Sequence, residues 1–344
     1  MELSPHELKA HYNSLLNLHT AYYNAGIEKY EQLLSHGSER VIVRLHSESG
    51  GTSIGIVNKH HGENKAFTSF AKHFRKAGMN VPEVFIISND GDSYLLEDLG
   101  DETLLNRIQT EGSITEGVKE IYRKVIDSLA DFQLKAGAGV DYSLCYQYGE
   151  FGVENIDYDL NYFSERFLKV FYKGKVDAAK LAGDMELLKQ KILEMPGEFF
   201  LYRDFQSRNI MLKGDTPYFI DFQSGRKGPL LYDTASLLYD AKADIPQDIR
   251  AELLEYYLMK VNSIHPIDMN YYRERFWYFA MIRILQAMGA YGYLGIVKGK
   301  RRFLESIPYA VRNINYILDE KIPAGSFKGL NEVFKEILNE QVNQ

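Results

Sequence analysis

The chain has 344 residues, 45% of them hydrophobic and 25% charged, with a formal net charge of -7; the length allows two lobes that each bury a core, and the acidic balance gives no general attraction to nucleic acid or an anionic membrane. The single cysteine, Cys145, excludes an internal disulfide and a thiolate metal site of its own. No apolar run approaches the roughly 18–20 residues of a membrane span, and Met1–Glu7 lacks the basic and apolar regions of a signal peptide, so a cytoplasmic location with no membrane association is expected.

Taken in chain order, Leu8, Tyr12, Leu15, Leu16, Leu18, Tyr22 and Tyr23 fall at helical spacing and predict leading helices from residue 1 to about 35. Arg40–Leu45 reads as a strand, Ser47–Gly51 as a turn and Ser53–Val57 as the hairpin partner. Phe67, Phe70 and Phe74 place a helix over Glu63–Lys76, after which Val84–Ile87, the turn Asn89–Asp92 and Ser93–Glu97 supply two more strands. Beyond residue 101 the pattern is helical over Glu116–Lys135, Asp159–Phe171 and Asp177–Glu194. It is helical again over Ala235–Ala241, Ile249–Val261, Tyr271–Tyr291, Pro308–Leu318 and Leu330–Leu338. No repeat or low-complexity tract interrupts the chain, which predicts one bilobal α+β unit. A β-rich lobe would span residues 1–98 and a larger, mostly helical lobe residues 99–344.

Between the two helical blocks lies the stretch Tyr202-Arg203-Asp204-Phe205-Gln206-Ser207-Arg208-Asn209, followed by Tyr218-Phe219-Ile220-Asp221-Phe222-Gln223. Three short apolar strands, Phe199–Leu201, Ile210–Leu212 and Tyr218–Ile220, put these polar residues at strand ends facing one cleft. Phosphoryl transfer from a nucleotide needs a carboxylate to orient the attacking hydroxyl, and an amide oxygen with a second carboxylate to hold magnesium on the phosphates. Asp204, Asn209 and Asp221 supply them in that order. Arg203 has two readings, a partner for a phosphate or a brace for the loop. Asp233 reads as a helix N-cap, with a second task of holding the loop through backbone N–H groups.

The block resembles the catalytic and metal loops of the aminoglycoside phosphotransferase and choline kinase superfamily. Its continuation, Asp221-Phe222-Gln223-Ser224-Gly225, then Gly228-Pro229 and Tyr232-Asp233, is similar to one branch, the bacterial N-acetylmuramate/N-acetylglucosamine kinases of cell-wall recycling. Val81-Pro82-Glu83-Val84, Leu95–Gly100 and Gly299–Leu304 agree with that branch as well. The resemblance implies a protein-kinase-like fold, ATP and Mg2+ as cofactors, and a small sugar as acceptor, phosphorylated on its anomeric hydroxyl. No nucleic acid and no obligate protein partner is implied. Two departures stand out: Tyr202 replaces the superfamily's histidine, and Ser224-Gly225 replaces the acidic residue that usually follows Phe-Gln.

Further site residues follow from the resemblance. Glu97 and Leu99 fall where such folds place the hinge that reads adenine through backbone groups. Kinase-like lobes hold the α and β phosphates with a third-strand lysine paired to a helical glutamate; here Ile54–Asn58 contains no lysine, and Lys59 with Glu63 forms a displaced candidate pair. Gly37-Ser38-Glu39-Arg40 resembles the branch's phosphate loop, with Ser38 and Arg40 on phosphate oxygens. For the acceptor, Asp159 (with Asn155 and Asp157), Arg226 (with Lys227), Arg283 and Gln286 are candidates, beside a basic cluster of Lys298, Lys300, Arg301 and Arg302. A lactyl carboxylate requires a cation whereas an aminoglycoside requires acids. The rival readings are a kinase for an aminoglycoside or another small hydroxylated metabolite, and a non-catalytic nucleotide-binding adaptor.

Overall fold

A computed structural model describes residues 5–33, 40–172 and 174–342, with side chains from residue 12 to 339; the expected phosphate-loop residue Ser38 lies outside the described residues. Helix α1 (Pro5–Tyr23) ends early, at Asn24 with φ 50°, and β1 (Ile27–Leu33) follows where the periodicity predicted more helix. β1 is an edge strand, and its Glu28, Lys29 and Tyr30 face solvent, so its apolar alternation is masked by the charges that edges carry. The sheet continues through β2 (Val41–Ser47), β3 (Thr52–Val57), β4 (Val84–Ile87) and β5 (Ser93–Glu97), all antiparallel in the order β1-β2-β3-β5-β4.

Period-two alternation divides this sheet into two faces. Val41, Val43, Leu45, Val57 and Leu95 pack against Leu15 and Leu18 of α1 in a small separate core. Ile56, Tyr94 and Leu96 point the other way and join the main core together with α2 (His61–Lys76). That helix links the two lobes. Its Phe67 stacks on Phe222 with centroids 4.9 Å apart, and its Phe74 meets Phe132, Phe200 and Phe222 edge-on, so the first turn of α2 is held beside the strand ends of the large lobe.

The large lobe opens with α3 (Leu104–Glu111), a helix that hydrophobic periodicity does not predict although Thr103 and Asn106 form a capping box and Gly112 closes it at φ 71°. Then come α4 (Glu116–Asp131), α5 (Val153–Phe163), α6 (Ala178–Leu193), β6 (Phe199–Leu201), β7 (Ile210–Lys213), β8 (Thr216–Phe219), β9 (Arg226–Gly228), α7 (Leu231–Leu238), α8 (Gln247–Ile264), α9 (Met269–Gly292), α10 (Ile307–Glu320) and α11 (Lys328–Val342). Helix α5 begins six residues ahead of its predicted start at Asp159, because Gly152 and the buried Asn155 and Ile156 already belong to it. By length and composition alone Met269–Val297 would suit a membrane span. In this fold it is a core helix, with Phe276, Phe279, Met281, Ile282, Leu285 and Met288 buried against its neighbours. At Gly292 a side chain would collide with Arg166 O, and that glycine lets α9 cross the Ser164–Leu168 turn.

Candidate active site

Strand β6 ends at Leu201 and the backbone turns sharply: Arg203 sits at φ 84°, a left-handed conformation costly for a side-chain-bearing residue. Asp233, in the first turn of α7, over-determines that turn. Its carboxylate accepts from Tyr202 N–H at 2.7 Å and Arg203 N–H at 2.9 Å. Leu230, not Asp233, occupies the N-cap position of α7, so bracing the loop is what Asp233 does. Burial, the largest influence, pushes its pKa up to about 7. Tyr202, at the histidine position, is buried and donates to Ile220 O at 2.7 Å, tying this loop to the strand end just before Asp221.

The rest of the loop is a short 3-10 turn, Ser207–Asn209. Asp240 accepts from Ser207 N–H at 3.1 Å, and Asn209 Nδ2 donates to Asp204 O at 2.9 Å. The Asp204 carboxylate, by contrast, accepts no hydrogen bond among the described residues and lines a cavity of about 320 Å³. Arg283, Gln286 and Arg302 of the expected acceptor residues line the same cavity, with Asn106, Arg208, Asp240, Lys242 and Tyr291. Its size suits a small molecule. A larger cavity of about 600 Å³ between α5 and α6, with Asp157 and Lys189 on its wall, shares no residue with it and holds none of the loop.

Across the loop, Asp221 is again a left-handed residue, at φ 70°. Its Oδ2 lies 3.3 Å from Asn209 Nδ2, and its Oδ1 accepts from Gln223 Nε2 at 2.8 Å and lies 3.4 Å from Arg40 Nη2. The two candidate metal ligands therefore lie side by side, with the Asn209 amide nitrogen turned toward Asp221 and its oxygen on the other branch of the amide. Among the described residues no group of three or more His, Cys, Asp and Glu could hold an ion unaided. Two protein ligands, completed by water and phosphate oxygens, are what magnesium accepts.

The displaced Lys59–Glu63 pair does not form. Glu63 Oε1 instead accepts from Arg40 Nη2 at 2.5 Å, its Oε2 accepts from Asn58 Nδ2 at 2.9 Å, and Lys59 is exposed with no partner among the described residues. At the expected hinge, Arg44 grips Asp98 through Nε at 2.8 Å and Nη2 at 3.1 Å and reaches Gly100 O, where the chain turns at φ 83°. The Glu97 side chain points outward to Lys213 at 2.7 Å and Arg75 at 3.3 Å, and Leu99 is buried; the side chains of these two residues are structural.

Three expected site residues are withdrawn from the cleft. Arg203 is buried, donating from Nη1 and Nη2 to Asp159 at 2.9 and 2.6 Å and contacting Tyr232 Oη, so its guanidinium braces α5 against the loop and meets no phosphate. Asp159, with no exposed surface, is fully used by that pair. Arg226 is buried because β9 pairs with β6, Leu201 opposite Arg226, which turns its side chain inward to Asn155 Oδ1 (2.5 Å), Ser224 O (2.9 Å) and Gln147 Oε1 (3.3 Å). Burial, then the charge of Arg203, lowers its pKa to about 10. Lys227 faces outward over Tyr142, and Lys298 over Tyr293. Arg208, which stands inside the motif, received no role from the sequence; only the cavity singles it out.

The profile of the phosphotransferase enzyme family matches residues 28–274. An N-acetylmuramate/N-acetylglucosamine kinase of Pseudomonas aeruginosa is 26% identical over 249 residues, covering 71% of this chain and 70% of that protein. One from Neisseria meningitidis serogroup B is 27% identical over 255 residues, covering 70% of each. Among solved structures, an ethanolamine kinase of Plasmodium vivax superposes with TM-score 0.62 at 12% identity over 85% of this chain and 84% of its own. An amicoumacin kinase in complex with AMP-PNP, Ca2+ and Ami superposes with TM-score 0.55 at 12% identity over 98% and 96%. These likenesses agree with the expected protein-kinase-like fold.

Proposed function

The chain belongs to the phosphotransferase enzyme family, and from that premise we propose that it is a cytoplasmic ATP- and magnesium-dependent kinase acting on the anomeric hydroxyl of N-acetylmuramate and N-acetylglucosamine. The observation that carries a transfer to a small acceptor is the Asp204 carboxylate, left without a hydrogen bond and opening into a cavity of about 320 Å³ beside the Asn209–Asp221 pair. The sugar is supported by the names of the relatives, and the nucleotide and a divalent ion by the AMP-PNP and Ca2+ held by a structural neighbour.

In this reading the nucleotide lies between residues 1–98 and the catalytic lobe, 99–344. Arg40, with its side chain fixed by Glu63, meets the phosphates in the role the third-strand lysine has elsewhere. Asn209 and Asp221 would hold a magnesium ion, which would neutralise charge on the phosphate oxygens. The acceptor oxygen attacks the γ-phosphorus, the bond to the bridging oxygen breaks and ADP leaves, while the hydroxyl proton passes to Asp204 late in a loose transition state. Tyr202, Asp233 and the Arg203–Asp159 pair only hold Asp204 in place.

The test is turnover of a panel of N-acetylglucosamine, N-acetylmuramate and kanamycin, with phosphorus NMR of the product. A phosphate coupled to the C1 proton is expected; a 6-phosphate, or activity confined to kanamycin, overturns the acceptor. Asp204→Asn is expected to bind nucleotide normally and to lose at least the roughly 100-fold in kcat that follows removal of a positioned acid/base group. Retention of more than half the wild-type kcat removes Asp204 from the mechanism.

A further inference from the structure

We propose that the cavity beside Asp204 contains a carboxylate subsite formed by Arg208 and Arg283, and that the acceptor this chain prefers is an acidic sugar. The inference rests on the acceptor reading above and deepens it, because of the two sugars named there only N-acetylmuramate carries a carboxylate, on its lactyl ether.

Charge is the first argument. The cavity wall carries four cations, Arg208, Arg283, Arg302 and Lys242, the last paired with Glu305 at 3.5 Å, and two carboxylates, Asp204 and Asp240. Both Asp240 oxygens already accept backbone N–H groups, from Ser207 at 3.1 Å and Lys242 at 3.2 Å. Asp204 must stay open for the acceptor hydroxyl. A polycationic acceptor would therefore meet net repulsion, and a neutral one would leave the guanidinium groups without a partner.

Geometry is the second. Arg44, Arg107 and Arg203 are matched by the carboxylates of Asp98, Glu102 and Asp159, whereas the buried Arg226 and Arg250, which line no cavity beside Asp204, have neutral partners. Arg208 makes no hydrogen bond or ion pair among the described residues. Arg283 is buried, yet its partners are neutral: Nε donates to Ser236 Oγ at 2.9 Å and Nη1 to Gln286 Oε1 at 2.6 Å. The fork is thus oriented while its charge stays uncompensated. The two arginines also line the same cavity wall, together with Tyr291. Arg208 is four residues beyond Asp204 on a loop pinned by Asp233 and Asp240, so an anion it binds is held at a fixed distance from the base. Planar two-pronged recognition of a carboxylate is what a guanidinium supplies and an ammonium does not.

The same charge could instead meet the phosphoryl group in transfer, and the test separates the two. Values of kcat/KM are compared for N-acetylmuramate, its lactyl methyl ester and N-acetylglucosamine, with KM for ATP alongside, in the wild type, Arg208→Gln and Arg208→Lys. The wild type is expected to favour the acid over its ester by about 10-fold or more. Arg208→Gln should lose roughly 10- to 100-fold on the acid, the worth of one charge-assisted hydrogen bond, and far less on the other two; Arg208→Lys should recover part of the preference. An equal loss on all three acceptors assigns Arg208 to the phosphoryl group and overturns the subsite. So does wild-type turnover of the ester as fast as the acid, a comparison that needs no variant. Turnover of none of the three overturns the sugar reading itself, and the subsite with it.

Discussion

Asp159→Ala separates a residue that braces the catalytic loop from one that touches substrate. Asp159 has no exposed surface and gives both oxygens to Arg203, at 2.6 and 2.9 Å. Removing it strands a buried guanidinium, which costs about 3–5 kcal/mol; Arg226, already depressed by burial and then by the charge of Arg203, leaves little scope for relief and favours the upper half of that range. With an unfolding entropy of about 2.1 cal/mol/K per residue, the chain loses roughly 0.7 kcal/mol/K at its midpoint, so Tm should fall by about 5–7 °C. Because Arg203 adjoins Asp204, kcat should fall as well, while KM for nucleotide and sugar moves little. Calorimetric unfolding and steady-state kinetics on the same preparation read both quantities. A Tm unchanged within about 1 °C together with a large rise in sugar KM would refute this reasoning and return Asp159 to the acceptor site. Replacing both partners by apolar residues, Asp159→Leu with Arg203→Met, should restore much of the lost stability, as replacement of buried pairs often does.

Two further outcomes are expected. Asp221→Ala should abolish measurable magnesium-dependent ATP binding in a calorimetric titration, since it removes the one carboxylate of the candidate metal pair; unchanged affinity would place the ion elsewhere. Arg40→Ala should raise the Kd for ATP by about 10- to 100-fold, through loss of a charge-assisted contact to phosphate, whereas Lys59→Ala, at an exposed position without a partner, should leave it within about twofold; the reverse ranking would restore the displaced lysine.

What could be read from the sequence was what depends on local pattern. The strands from Val41 to Glu97 alternate on a sheet with both faces covered, and the loop residues Asp204, Asn209 and Asp221 are fixed by spacing between short apolar strands. Partner identity was not local. Sequence proximity pairs Glu63 with Lys59, four residues away, but Glu63 takes Arg40, 23 residues away, because the Phe67–Phe222 stack sets the first turn of α2 against the strand ends. Arg226 follows the metal aspartate closely enough to suggest the cleft, yet strand pairing decides its direction, and a three-residue strand such as β9 carries too few positions for its period to be seen. β1 and α3 did leave signals, the Asn24–Gly26 stop and the Thr103–Asn106 capping box, and these were outweighed by longer helical periodicity on one side and by the shortness of an eight-residue helix on the other.

The deeper gap concerns carboxylates. Asp159, Asp204, Asp233 and Asp240 lie close to one loop, and residue type does not rank them. Hydrogen bonding does: Asp159 is filled by Arg203, Asp233 by two backbone N–H groups, Asp240 by two others. A carboxylate so filled is fixed in place and unavailable to a substrate proton. Asp204 alone of the four retains its accepting capacity, and Arg208, without a partner four residues on, retains its donating capacity toward the same cavity. A loop held this tightly from behind keeps two groups open toward one space, which is the preorganisation that positioning an acceptor against a phosphoryl group requires.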